Sequence, residues 1–165
     1  MNKKEIIAKI VSISGLPAIW CLAAILLGIG PAPAAMVSAT MYVIYGKKAK
    51  PAIMTVSIIL SVIFAYCIVS LIGALTANAS PAVVTPLVLF IGVGIIIVIQ
   101  ELLKKFTDLP TILGGFATGM LGLTMVSPDA MPKMGIELVI AMLVGLWWIG
   151  VLGDVVMGAM MKEKK

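Results

Sequence analysis

The chain has 165 residues, 62% of them hydrophobic and 12% charged, with a mean hydropathy of +1.21. That charged share is about half of what a soluble domain carries, which excludes an ordinary soluble domain and a disordered chain. The formal charge is +5, but all 12 basic residues are lysine, with no arginine and no histidine, so the composition suits neither a nucleic-acid binder nor a histidine metal site.

Residues Met1 to Lys9 are basic and lead into an apolar run, which imitates a signal peptide. A small-residue cleavage site could be drawn at Ala23-Ala24. The run continues to Gly28 and further spans follow, however, so an uncleaved first helix over about 7–28 is expected. Gly28-Ile-Gly-Pro-Ala-Pro33 ends it, because proline cannot continue a helix and disfavours helix in the residue before it. A second segment covers 34–46 and a third 52–75. Thr76-Ala-Asn-Ala-Ser-Pro81 is the next break, followed by segments at 83–101, 110–126 and 136–160. The first, third, fourth and sixth are long enough for a ~30 Å core at 1.5 Å per residue. The second, with 13 residues, reaches only about 20 Å. The fifth opens on Pro110 and carries Gly114, Gly115, Gly119 and Gly122. Both are expected to be short tilted helices or broken ones.

The fold expected is therefore all-α: a polytopic membrane protein with six transmembrane segments in one domain, 1–165. Lysine placement supports six crossings. With the N-terminus in the cytoplasm, Lys3, Lys4, Lys9, Lys47, Lys48, Lys50, Lys104, Lys105, Lys162, Lys164 and Lys165 fall inside, and only Lys133 falls outside. Omitting the second segment would put Lys47, Lys48 and Lys50 outside, so both short segments are expected to cross. Both termini are then cytoplasmic.

Segment lengths read long, short, long, twice over. Met36-Val-Ser-Ala-Thr-Met-Tyr42 in the second segment echoes Gly114-Gly-Phe-Ala-Thr-Gly-Met120 in the fifth, with Ala39-Thr40 on Ala117-Thr118. A three-crossing unit inverts when duplicated, so the pattern implies two inverted repeats, about 7–75 and 83–160. Short, Gly/Pro-interrupted segments at matching places in such repeats point to a transport site near the midplane. The alternative is that small residues there merely allow close packing.

Thr40 and Thr118 are the chief candidates for lining a substrate path between the short segments. A threonine hydroxyl both donates and accepts, and so replaces part of a solute's hydration without charge. Threonine in a membrane helix can instead bond its own i−4 carbonyl. Ser38 and Thr111 are weaker members of the set, and Tyr42 and Tyr66 offer phenolic oxygens that can equally be interfacial anchors. The small residues Gly114, Gly115, Gly119 and Gly122 are assigned to close helix packing, Gly115 and Gly119 forming a small-xxx-small pair. Trp147 and Trp148 diverge by ~100° on a helix, so at most one of them faces a given neighbour.

Among the acids, Glu101 is placed to pair with Lys104 or Lys105 at a membrane boundary, and Glu137 opens the last helix, where the dipole favours an anion. Asp154 lies about two turns before Lys162. It could face a cytoplasmic vestibule and bind a cation or proton, or be an ordinary boundary charge.

Enzyme readings fare poorly. Gly150-Val-Leu-Gly-Asp154 resembles the GxGD of intramembrane aspartyl proteases only superficially, with the wrong spacing and no second aspartate in an apolar run. No histidine exists to serve as base, and no phosphate-binding or dinucleotide motif occurs. Twelve methionines with Cys21 and Cys67 would suit Cu(I), but Met131-Pro-Lys-Met134 reads as a loop and Met157 to Met161 as a helix end. No catalytic residue, cofactor or metal is expected.

Thr40-Met-Tyr42 followed by Gly46-Lys47, together with Thr111-Ile-Leu-Gly114, Ala117-Thr118 and Gly122, resembles the YcdZ-like family of small bacterial inner-membrane proteins, which bear a domain of unknown function. The resemblance covers about a third of the chain and also fits its length and six-segment layout. It implies a bacterial inner-membrane location and supplies no substrate. The chain departs from that family in its arginine-free loops and many methionines.

The function expected is a channel or facilitator for a small, polar, mostly uncharged solute such as urea, an amide or ammonia. The alternative is a non-catalytic membrane scaffold or accessory subunit. The expected partners are the solute, the lipid bilayer and further copies of the chain, as a dimer or trimer, with no nucleic acid.

Overall fold

A computed structural model describes residues 15–162. Among these residues every regular element is helical, and there is no strand. Six helical rods follow in order: α1 (Leu16–Leu27), α2 (Ala34–Tyr45), α3 (Pro51–Thr76), α4 (Pro81–Leu102), α5 (Leu109–Thr124), and a last rod. That last rod begins with the 3-10 turn Pro128–Ala130. It continues as α6 (Met131–Val144), a π-helical stretch (Gly145–Val151) and α7 (Leu152–Lys162).

The punctuation comes from glycine and proline. Gly28 ends α1 with φ +69°, and the backbone N–H of Ile29 returns to the Ala24 carbonyl at 2.9 Å. This is the left-handed helix ending that glycine adopts without steric cost. Trp20 Nε1 donates to the Ala32 carbonyl at 3.1 Å, tying the following Gly-Pro turn back to the helix. Gly46 ends α2 with φ +51°. Prolines open α3 and α4 and stand near the start of α5, positions where the missing N–H is not needed by the helix.

Three rods are long and apolar enough to cross a bilayer: Pro51–Thr76, Pro81–Leu102 and Pro128–Met160. Large side chains such as Leu26, Ile44 and Phe90 stand on the outside, at 77–82% exposure. Helices that are apolar all round suit a lipid environment, and these three point to a membrane protein. The 12 residues of α2 and 16 of α5 reach only about 18 and 24 Å. The expected first segment includes residues 7–14, which lie outside the described residues, as do Lys3, Lys4, Lys9, Lys164 and Lys165 of the lysine pattern.

The last rod begins earlier than the apolar run at 136 implies. Residues 131–134, read above as a loop, form its first turn. The reason is that Pro132 sits at the start of α6, where a fixed φ favours helix rather than breaking it. Glu137 therefore lies inside the helix rather than at its opening, 3.6 Å from Lys133 one turn earlier.

The described residues form two compact units. One contains α1, α2 and the rod from Ile140 onward; the other contains residues Ala52–Val139. In the first, α2 lies alongside the π-helical stretch: Ser38 meets Met142, and Tyr42 meets Gly150 and Asp154. Rising numbers on one helix meet rising numbers on the other, so the pair runs parallel. In the second, α5 lies on α3, with Asp108 at Ser57 and Gly119 at Ala65. That pair is parallel too. A Cβ on Gly119 would stand 2.7 Å from Ala65 Cβ, and one on Gly122 2.9 Å from Leu138 Cδ1. Both glycines therefore allow close packing of the kind membrane helices use where no hydrophobic force drives them together.

Candidate functional site

The seam between α2 and the last rod is built on absent side chains. A Cβ on Gly145 would overlap the Ala35 carbonyl oxygen and Ser38 Oγ, with Ala35 carbonyl carbon at 2.6 Å. A Cβ on Gly150 would come within 2.8 Å of the Tyr42 ring. These glycines are five residues apart, the interval over which a π-helical hydrogen bond closes. The Ser38 hydroxyl is fully buried and lies 2.5 Å from the Met142 carbonyl and 3.1 Å from the Ala35 carbonyl, its proton going mainly to the nearer oxygen.

A cavity of about 420 Å³ lies along this seam. Its α2 wall is formed by Met36, Ala39, Thr40, Val43 and Ile44, which recur at the three- and four-residue spacing of one helix face. The opposite wall comes from Ile149, Gly150, Gly153, Asp154 and Met157. Gly150 and Gly153 widen it, and most of the lining is apolar. The polar side chains on it are Thr40 and Asp154, both exposed. Tyr42, buried behind the wall, donates its hydroxyl to Asp154 Oδ2 at 3.1 Å. The site therefore offers one hydroxyl that donates or accepts and one carboxylate held by a phenol. Short π-helical stretches inside α-helices recur at functional sites, and this one forms the floor beside the carboxylate.

Of the residues singled out from the sequence, Thr40 and Asp154 share this cavity, Tyr42 anchors Asp154, and Ser38 holds the seam beneath. Thr111 and Thr118 belong to the other compact unit. The Thr111 hydroxyl is buried and donates to Asp108 Oδ2 at 2.6 Å, while Asp108 also accepts from the Thr111 backbone N–H at 3.0 Å. Thr118 donates to the Gly114 carbonyl at 2.8 Å, the i−4 bond that threonine makes in membrane helices. Gly114 is partly exposed and Gly115 buried on α5. Lys104 pairs with Glu101 at 3.0 Å, both side chains well exposed. Trp147 and Trp148 on the π-helical stretch are 47% and 41% exposed.

Sequence reasoning missed three parts of the site. One is the π-helical stretch. Another is the role of Gly145 and Gly150, whose five-residue spacing was the available signal. The third is the bond between Tyr42 and Asp154, which spans 112 residues and leaves no local trace. Asp108 was also passed over. An aspartate just before Leu-Pro at the head of an apolar segment is a legible helix-cap signal.

No curated protein and no solved structure matches the chain. One family model matches it over residues 10–159, nearly its whole length. The chain belongs to that family, described as "Protein of unknown function (DUF1097)".

Proposed function

We propose that this chain is a six-crossing facilitator for a small, polar, mostly uncharged solute of the urea, amide or ammonia class, in the bacterial inner membrane. The observation that carries the reading is the cavity on α2, where the Thr40 hydroxyl and the Asp154 carboxylate face otherwise apolar walls. Pockets of this composition, apolar with a few convergent polar groups, suit small-molecule binding.

The helix pairing supports two inverted repeats. Each short helix lies on the third helix of the other half, α2 on the last rod and α5 on α3, as an exchange between related halves would produce. The parallel direction of both pairs also agrees with six crossings, in which the second and sixth segments run one way and the third and fifth the other. The positive-inside distribution of lysines supports a cytoplasmic position for both termini.

Topology is tested by introducing a single cysteine at Ser127 or at Lys48 in a Cys21→Ala, Cys67→Ala background. Membrane-impermeant labelling is expected to reach the Ser127 position from outside and the Lys48 position only from the cytoplasm. Labelling of both from one side overturns the six-crossing reading.

Transport is tested by solute-driven swelling of proteoliposomes over urea, formamide, glycerol and ammonium. Thr40→Val keeps the shape and removes the hydroxyl. A neutral hydrogen bond contributes about 1 kcal/mol net, so passage is expected to slow roughly fivefold. Thr118→Val is expected to slow it less, because the Thr118 proton is already committed to Gly114. Failure of the parent protein to conduct any of these solutes overturns the reading and favours a scaffold role.

A further inference from the structure

We propose, building on the facilitator reading, that among its solutes the cavity on α2 binds the ammonia-type ones in protonated form, as small ammonium-type cations, with Asp154 as the residue that selects for N–H donors. As a carboxylate, Asp154 only accepts hydrogen bonds, through two oxygens with about four lone-pair positions. Tyr42 fills one position on Oδ2, and among the described residues nothing else donates to the carboxylate. The nearest basic residue along α7 is Lys162, eight positions on and so about 12 Å along the axis; across the cavity, lining residue Gly46 is followed in the chain by Lys47 and Lys48. Asp154 is exposed on an otherwise apolar wall and holds one neutral donor, so its charge and open acceptor positions suit a cation. An ammonium head supplies what is missing: positive charge and several short N–H donors, whose bonds to a carboxylate are about twice as strong as neutral ones. Thr40, on the facing wall, accepts a further N–H. Ala39, Val43, Ile149 and Met157 leave the remaining wall to a short alkyl group. A carboxylate solute meets like charge here, and a quaternary ammonium brings charge without a donor.

The test is calorimetric binding of methylammonium and tetramethylammonium to the full chain in mild detergent. Methylammonium is expected to bind at least about tenfold more tightly than tetramethylammonium, and Asp154→Asn to lose about tenfold or more, as removal of a charge-assisted bond predicts. Asp154→Glu retains the carboxylate and is expected to keep most of the binding. Tyr42→Phe, which removes only the anchor, loses less than Asp154→Asn. Size-exclusion profiles of all variants report folding independently. Equal binding of the two cations, or methylammonium binding unchanged in a folded Asp154→Asn protein, overturns the proposal. So does absence of methylammonium binding by the parent. Uptake by proteoliposomes separates this outcome from the wider reading. Binding without uptake overturns the facilitator and leaves the site. Uptake of urea with no methylammonium binding leaves the facilitator and overturns the ammonium site.

Discussion

Gly145→Ala is expected to destabilise the protein more than any other single-methyl change in the first unit. The added Cβ would overlap the Ala35 carbonyl oxygen and Ser38 Oγ, and the first of these is backbone that cannot rotate away. In an open helical position the same substitution stabilises, by about 0.4–1 kcal/mol, through helix propensity and a less free unfolded chain. Overpacking against a rigid neighbour costs about 1–3 kcal/mol or more, so the clash decides the sign. A net loss of about 2 kcal/mol corresponds to a fall of roughly 4–8 °C in melting temperature. Gly158→Ala is the internal control, since nothing lies within 4 Å of a Cβ built there. It is expected to melt at or above the parent temperature. Thermal unfolding of both variants in detergent checks the pair, and equal melting of Gly145→Ala and parent would show that the α2 seam is looser than described. The effect reaches function as well. Pushing α2 off the π-helical stretch also parts Tyr42 from Asp154, so solute passage should fall with stability.

Asp108→Ala is expected to produce the second large effect, in the other unit. Asp108 caps α5 by accepting the Thr111 N–H at 3.0 Å and also takes the Thr111 hydroxyl proton at 2.6 Å. Loss of a helix cap costs about 0.5–2 kcal/mol. Orphaning a buried hydroxyl costs about 1–3 kcal/mol, and Thr111 is fully buried. The two penalties share one carboxylate, so a combined loss of about 2–3 kcal/mol is the reasonable sum. Asp108→Asn keeps one accepting oxygen and should fall between. Thr111→Val removes the hydroxyl together with its need for a partner, so adding it to Asp108→Ala should cost less than the two single effects combined. Melting temperatures of the four proteins form the cycle. Strict additivity would mean that the carboxylate and the hydroxyl do not act as a pair. The bond from the Asp108 backbone N–H to Ser57 Oγ survives in all of them, because it uses no side chain of residue 108.

Chain-local physics accounts for what the sequence determined by itself. Length, hydropathy and the glycine and proline breaks were enough for an all-helical chain with helices long and apolar enough to cross a bilayer. They were also enough for the ends of α1 and α2 at Gly28 and Gly46, the starts of α3 and α4, and the shortness of α2 and α5. Each depends on residues within a turn or two of one another. The exception was the start of the last rod, where Pro132 opens a helix that the apolar run alone placed later. Individual site residues could be named in the same way: Thr40, Tyr42 and Asp154 are polar groups in apolar segments, and that is costly enough to be noticed. Tertiary structure alone decided which of them meet. In a soluble helix an apolar stripe marks the buried face. In helices apolar on every side, lipid-facing and protein-facing positions look alike, so pairing partners are not written into periodicity. The partners were set instead by where side chains are absent. Gly145 and Gly150 let α2 approach the π-helical stretch, and that approach brings the Tyr42 hydroxyl to Asp154 and opens the cavity beside Thr40. Gly119 does the same for α5 on α3. Steric permission of this kind depends on the shape of the opposite helix, which no local stretch of sequence contains.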